Sequence, residues 1–184
     1  NCPNLEILNL SANRLRSISR RLFHGLYNLK GLNLSDNPEL CTIDDGLFRS
    51  LFSVNKVRLS GNNIKQLNLA RLFNSCHFIH GLDLSRNQLD NQTFQYEKLG
   101  NLVRLLTLDL SENQLENLEF VRDMDELRAL WLKNNKIESI EKDGYNFLGR
   151  LSSHAYIDLS GNPLQARSKE LLALFEDRSI EIVS

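Results

Sequence analysis

LLTLDLSENQL, residues 105–115, and LEILNLSANRL, residues 5–15, are two copies of one phrase. Apolar residues stand at Leu105, Leu108 and Leu110, then Asn113, then Leu115, and the earlier copy has Leu5, Leu8, Leu10, Asn13 and Leu15. The phrase occurs seven times, and its Asn falls at Asn13, Asn37, Asn62, Asn87, Asn113, Asn135 and Asn162. The intervals are 24, 25, 25, 26, 22 and 27 residues. A period of this length marks a chain of stacked units rather than a single closed core.

The spacing inside the phrase says what each unit is. Leu108 and Leu110 are two apart, so they lie on one face of a short strand. The Asn then turns the chain, and its amide can both donate to and accept from loop backbone groups of its own and the neighbouring rung. One rung cannot bury its apolar edge alone, so neighbours must stack and align their strands in a parallel sheet. The return path repeats too. Ile18–Leu22–Phe23–Leu26 recurs as Ile43–Leu47–Phe48–Leu51, more loosely as Leu67–Leu72–Phe73, and as Ile140–Phe147–Leu148–Leu151. These residues are expected to fill the other half of the core.

The phrase and its period identify the chain as a leucine-rich repeat. Units of about 25 residues with this Phe resemble the extracellular type, as in Toll-like receptors and small leucine-rich proteoglycans. The resemblance spans essentially the whole chain and implies an α/β solenoid: a horseshoe of about seven repeats. It would have a parallel concave sheet, an irregular or short-helical convex side and a C-terminal capping helix. Residues 1–164 then hold the repeats and 165–184 the cap. Ser168 to Phe175 reads as a short amphipathic helix with Ser168 as N-cap. Leu171, Leu172, Leu174 and Phe175 would close over the last rung, followed by extended Ile180–Val183. In the extracellular family a Cys-x-Cys pair often follows Asn-Pro-Leu; Ala166 and Ser168 stand there instead, which points to a different C-terminal closure.

Composition excludes several classes. The net charge is −1, from 22 basic and 23 acidic residues mixed along the chain, so no basic stripe marks a nucleic-acid footprint. No apolar run is long enough for a membrane helix. There is no secretory signal, and Asn1 falls just before the first strand, so the chain reads as a piece of something longer or a mature form. Three Cys are too few for a disulfide scaffold.

Candidate chemistry is sparse. Cys2 and Cys76 fall in a column otherwise filled by large apolar residues and are expected to be core fillers. Cys41 aligns with Arg16, Lys65, Glu116 and Glu138, so it should be exposed. Cys76-His77-Phe78-Ile79-His80 is a clump rather than two close metal-binding pairs, and Cys76 should point inward while His80 sits on the strand. His154 replaces an apolar residue in the last phrase and is expected to be partly buried and hydrogen-bonded. Asp44-Asp45-Gly46 and Lys142-Asp143-Gly144 are turns. No catalytic, cofactor or metal motif is visible, so the reading is non-enzymatic. Sequons stand at Asn9, Asn33 and Asn91. The first two arise from the phrase itself, and Asn91, in a loop, is the better acceptor.

The variable strand positions face away from the core. One column reads Asn9, Asn33, Arg58, Asp83, Asp109, Trp131, Asp158, and beside it runs Ile7, Gly31, Lys56, Gly81, Thr107, Ala129, Tyr156. A third is Ser in every rung but one, where Lys133 stands. Seven strands would make a face about 29 Å across. Trp131, the only Trp, falls on this open face with Tyr156 diagonal to it, and Lys133, Asp109 and Asp158 form a polar rim. Lys56 and Arg58 against Asp83 and Asp109 read as a second partner contact, with Arg58 and Asp83 among the binding candidates, or as a cross-strand charge ladder. The implied function is recognition of a protein or peptide ligand, with no nucleic acid and no membrane insertion in this segment. The setting would be a receptor or adhesion ectodomain, secreted or at the cell surface, and of innate-immune character. Three other readings stay open: a cytoplasmic scaffold or regulatory subunit, a substrate-recruiting region of a larger enzyme, and a segment that forms a homo- or heterodimer.

Overall fold

The computed structural model describes residues 2–94, 100–151, 154–173 and 181–183. Eight three-residue strands form one unclosed parallel sheet in chain order. They are β1 (Ile7–Asn9), β2 (Gly31–Asn33), β3 (Lys56–Arg58), β4 (Gly81–Asp83), β5 (Thr107–Asp109), β6 (Ala129–Trp131), β7 (Tyr156–Asp158) and β8 (Glu181–Val183). The register follows the phrase: Leu8, Leu32, Val57, Leu82, Leu108, Leu130, Ile157 and Ile182 align as the inward column. The chain is an α/β solenoid of leucine-rich-repeat type.

The return paths are 3-10 turns and short helices: α1 (Leu69–Leu72), α2 (Lys142–Arg150) and α3 (Ala166–Ala173). Their apolar residues meet the strand residues in one continuous core. Phe23, Phe48, Phe73 and Phe147 are fully buried as the repeat predicts. The first three pack in series, with ring centroids 6.0 and 5.3 Å apart. Each fully buried Leu in such a core contributes on the order of 2 kcal/mol.

The Asn column ties rung to rung. Asn113 donates through Nδ2 to the Leu110 carbonyl of its own rung and the Leu84 carbonyl of the preceding one, both at 3.0 Å. Its Oδ1 accepts from the Leu89 N–H, also at 3.0 Å. Asn87 repeats this pattern one rung earlier, and Asn135 and Asn162 one and two rungs later.

Several expectations from sequence change at the two ends of the array. An eighth strand follows the seven phrases: Val183 accepts from the Leu159 N–H, and the face widens to about 34 Å. Ser168 is not a cap. It lies inside α3, where its buried hydroxyl accepts from the Ile140 N–H at 3.2 Å, tying the helix to the return path of the sixth rung. Leu172 is buried there, while Leu174, Phe175 and Ile180 lie outside the described residues. Cys2 is exposed rather than a core filler, because its rung is packed from one side only. For the same reason Leu22 is 52% exposed. His154 is exposed, with a left-handed φ of 76° at the turn into β7, where its side chain is carried out to solvent. Cys41 is exposed and Cys76 buried, as their columns require.

Candidate functional site

The concave face takes its shape from the strand register. The residues flanking each inward side chain point outward, and rungs are aligned without slippage from Ile7↔Gly31 to Trp131↔Asp158. The column holding Asn9, Asn33, Asp83, Asp109 and Asp158 has a structural task that the sequence reading missed. In each, the side-chain oxygen accepts from the N–H of the Ser two residues on, at 2.9–3.1 Å. This is an Asx turn ending the strand. The signal was the recurring Asn/Asp-Leu-Ser triplet. Among the seven phrase rungs only Arg58 and Trp131 break the column, and their side chains lack an oxygen that can make this bond.

Trp131 and Tyr156 are half-buried on the open face, with ring centroids 5.9 Å apart and planes inclined at 48°. Edge-inclined pairs at this distance attract beyond the area they bury. Lys133 is exposed beside them, while Asp109 and Asp158 flank Trp131 on the adjoining rungs. Partial burial pushes the Asp109 carboxyl above the usual carboxylate range; hydrogen bonds from Ser111 oppose this, and the charges of Asp83 and Asp158 add to it. The Tyr156 hydroxyl is likewise pushed up, by desolvation first and then by Asp158 and Glu181.

The charge ladder of Lys56 and Arg58 with Asp83 and Asp109 is not formed as ion pairs. Arg58 and Asp83 are aligned across β3 and β4, yet no ion pair within 4.0 Å joins these four residues among those described. The reason is local: Asp83 Oδ1 is turned toward the N–H and hydroxyl of Ser85, at 3.1 and 2.8 Å. The bridge that does form was not anticipated. Arg86 reaches across an intervening rung to Asp36, Nη2 to Oδ1 at 3.0 Å. It passes over Gly61, where an added Cβ would collide with Asp36. Gly61 also has a φ of 66°, one of a column of left-handed residues at the strand exits that includes Ala12, Asp36 and Arg86.

The sequons sit in different settings. Asn91 is half-buried, and its Nδ2 donates to Asn117 Oδ1 at 2.7 Å while its Oδ1 accepts from the Glu116 N–H at 2.7 Å. Asn33 is half-buried on the sheet, and Asn9 is exposed. In the Cys76–His80 clump, Cys76 is buried while His77 and His80 are exposed, and His80 precedes β4. These groups do not converge on one point.

Two family models match, "Leucine rich repeat" over residues 3–64 and "Leucine Rich repeats (2 copies)" over residues 103–147, together more than half of the chain. Human Toll-like receptor 5 is 33% identical over 94 residues, which is 48% of this chain and 10% of that protein. Bovine osteomodulin is 32% identical over 167 residues, covering 90% of this chain and 37% of the relative. The chain thus spans little more than a third of one curated relative and a tenth of the other. Among solved structures, the APL1 leucine-rich repeat domain superposes with a TM-score of 0.73 at 22% identity, over 89% of this chain and 41% of that one. Human 5T4 (Wnt-activated inhibitory factor 1, trophoblast glycoprotein) gives 0.62 at 22% identity, over 96% and 77%. At that identity the two structures speak to the fold alone. The chain belongs to the leucine-rich repeat proteins, with repeats of the extracellular type.

Proposed function

We propose that this chain is a non-enzymatic recognition module that binds a protein or peptide ligand through its concave face, within a receptor or adhesion-type ectodomain. In this reading residues 1–164 present the face and residues 165–184 close the far end. The observation that carries the proposal is the departure at Trp131. Where most rungs place an Asn or Asp that secures the strand exit, this rung gives up that bond for a large, half-buried aromatic packed at an incline against Tyr156. An aromatic pair of this kind, rimmed by Lys133, Asp109 and Asp158, has the composition of an interface anchor. Arg58, the other departure, and Asp83 extend the contact toward the N-terminal rungs. Kinship with Toll-like receptor 5 and osteomodulin supports an extracellular or cell-surface setting.

The test is a ligand selected from a displayed library of secreted and cell-surface ectodomains. Trp131→Ala should weaken its binding by about 2 kcal/mol or more while leaving the unfolding midpoint in place. A selected ligand that binds the parent, Trp131→Ala and Trp131→Ala/Tyr156→Ala with equal affinity would refute the concave anchor.

A further inference from the structure

A second surface lies on the flank of the solenoid, just before the strands. Three consecutive rungs turn there with the same backbone bonds: Leu26 to Phe23 and Leu29 to Leu26, Leu51 to Phe48 and Val54 to Leu51, Cys76 to Phe73 and Ile79 to Cys76. The repeated turn sends its first and last residues inward and the two between them outward. Tyr27 and Phe52 therefore sit in one outward column, and Phe78 falls one rung on and one position over. They are 47, 46 and 59% exposed, half of the six large apolar side chains left exposed among the described residues. Tyr27 and Phe52 stack, with centroids 6.1 Å apart and planes inclined at 26°.

The charge around these rings is one-sided. Segments 23–30, 48–55 and 73–80, 24 residues in all, hold no Asp or Glu, although 23 of the chain's 184 residues are acidic. They hold Lys30, Arg49, His24, His77 and His80. Lys30 is held at the border by Glu6, at 2.7 Å, while Arg49 has no carboxylate within 4.0 Å among the described residues. The sixth rung shows the contrast: its segment 121–128 carries Asp123, Asp125 and Glu126 and no aromatic.

We infer that this flank docks an acidic segment of another protein, one that seats apolar side chains on the Tyr27–Phe52–Phe78 strip and sets carboxylates around it. Exposed aromatics next to each other are what an interface buries, and a border whose own segments hold no carboxylate, with Glu6 taken up by Lys30 and Arg49 unpaired within 4.0 Å among the described residues, selects a partner of opposite sign. A second copy of the chain is disfavoured, because it would bring two borders of the same sign together. This surface is separate from the concave face and does not depend on the reading of Trp131.

The experiment measures fluorescence anisotropy with a labelled twelve-residue peptide alternating Glu and Leu, an analogue with Ser for Leu, and one with Lys for Glu. The Glu–Leu peptide should bind at tens of micromolar, and each analogue at least tenfold more weakly. Tyr27→Ser/Phe52→Ser/Phe78→Ser and Arg49→Glu should each lose at least tenfold, with circular dichroism and the urea midpoint confirming that both fold. Trp131→Ala should bind as the parent does, which separates this surface from the concave one. Equal binding of the Lys analogue, no binding of the Glu–Leu peptide, or unchanged binding by the aromatic variant would overturn the inference. So would self-association that the aromatic variant abolishes.

Discussion

Asn113 offers the sharpest test of how the rungs are joined. Replacing it with Ala removes three buried bonds, but their loss is unequal. The Leu84 carbonyl keeps its bond from Asn87 at 3.0 Å, and the Leu110 carbonyl keeps one from Asn135 at 2.9 Å. Only the Leu89 N–H, served by Asn113 Oδ1, is left with no partner. An orphaned buried N–H costs about 1–3 kcal/mol and each of the two weakened carbonyls about 0.5–1 kcal/mol, so Asn113→Ala should lose about 2–5 kcal/mol. Asn113→Asp keeps the acceptor for Leu89 but turns a second oxygen toward two carbonyl oxygens. It should therefore be the less stable of the two at pH 7, and the gap should close in acid, where the protonated carboxyl can donate to one carbonyl. Urea unfolding followed by circular dichroism gives both midpoints, and hydrogen exchange at the Leu89 amide reports the orphaned group directly. The reasoning fails if the Asp variant matches or exceeds the Ala variant at pH 7. It fails equally if Leu89 exchanges no faster than amides in distant rungs.

Leu110, fully buried in the inward-facing register, should cost about 2–5 kcal/mol as Leu110→Ala, read as a shift in urea midpoint; a negligible shift would contradict the rung assignment. Asp109→Asn keeps an oxygen for the Ser111 N–H, as Asn33 does for Ser35. Because the folded state raises the Asp109 pKa, the carboxylate weighs against folding at neutral pH, and that cost fades as the pH falls and the group takes up its proton. The variant should thus be at least as stable as the parent at pH 7 and lose the advantage toward pH 4, a comparison made by midpoints at both values. Thiol labelling should divide the cysteines: Cys2 and Cys41 react promptly in the native state, while Cys76, buried and with its thiol pushed up to about 12 by desolvation, reacts only in denaturant. Three fast thiols would contradict that burial.

What was legible in the sequence was whatever depends on a neighbour on each side. Leu108, Phe48 and Cys76 could be placed by column because each inner rung repeats the environment of the next. The same logic misplaced Cys2 and Leu22, in rungs near the start of the array, where packing comes from one side and the column no longer fixes burial. It misplaced Ser168 and His154 too, because the last turn and the helix after it follow no phrase. The eighth strand went uncounted since Glu181–Val183 carries no Asn signal; only its pairing with β7 makes it a rung. Within the open face the outward columns were read correctly, and Arg58, Asp83 and Tyr156 all lie where the register puts them. The turn bonds of Asp83, Asp109 and Asp158 were invisible because an Asn or Asp that caps its own strand looks, in sequence, like any variable surface residue.

The ladder has a direction. Asn87, Asn113, Asn135 and Asn162 each make all their bonds between rungs to the rung before, never to the rung after. A chain leaving the ribosome N-terminus first therefore presents each new Asn with a docking edge already built, so growth and order proceed the same way. The N–H groups of Ile64, Leu89, Leu115 and Ile137 wait for the following rung. During synthesis the growing array thus carries, at its newest edge, several backbone donors that only the next repeat can satisfy, the Leu84 and Arg86 N–H groups beside that of Leu89 being one such set.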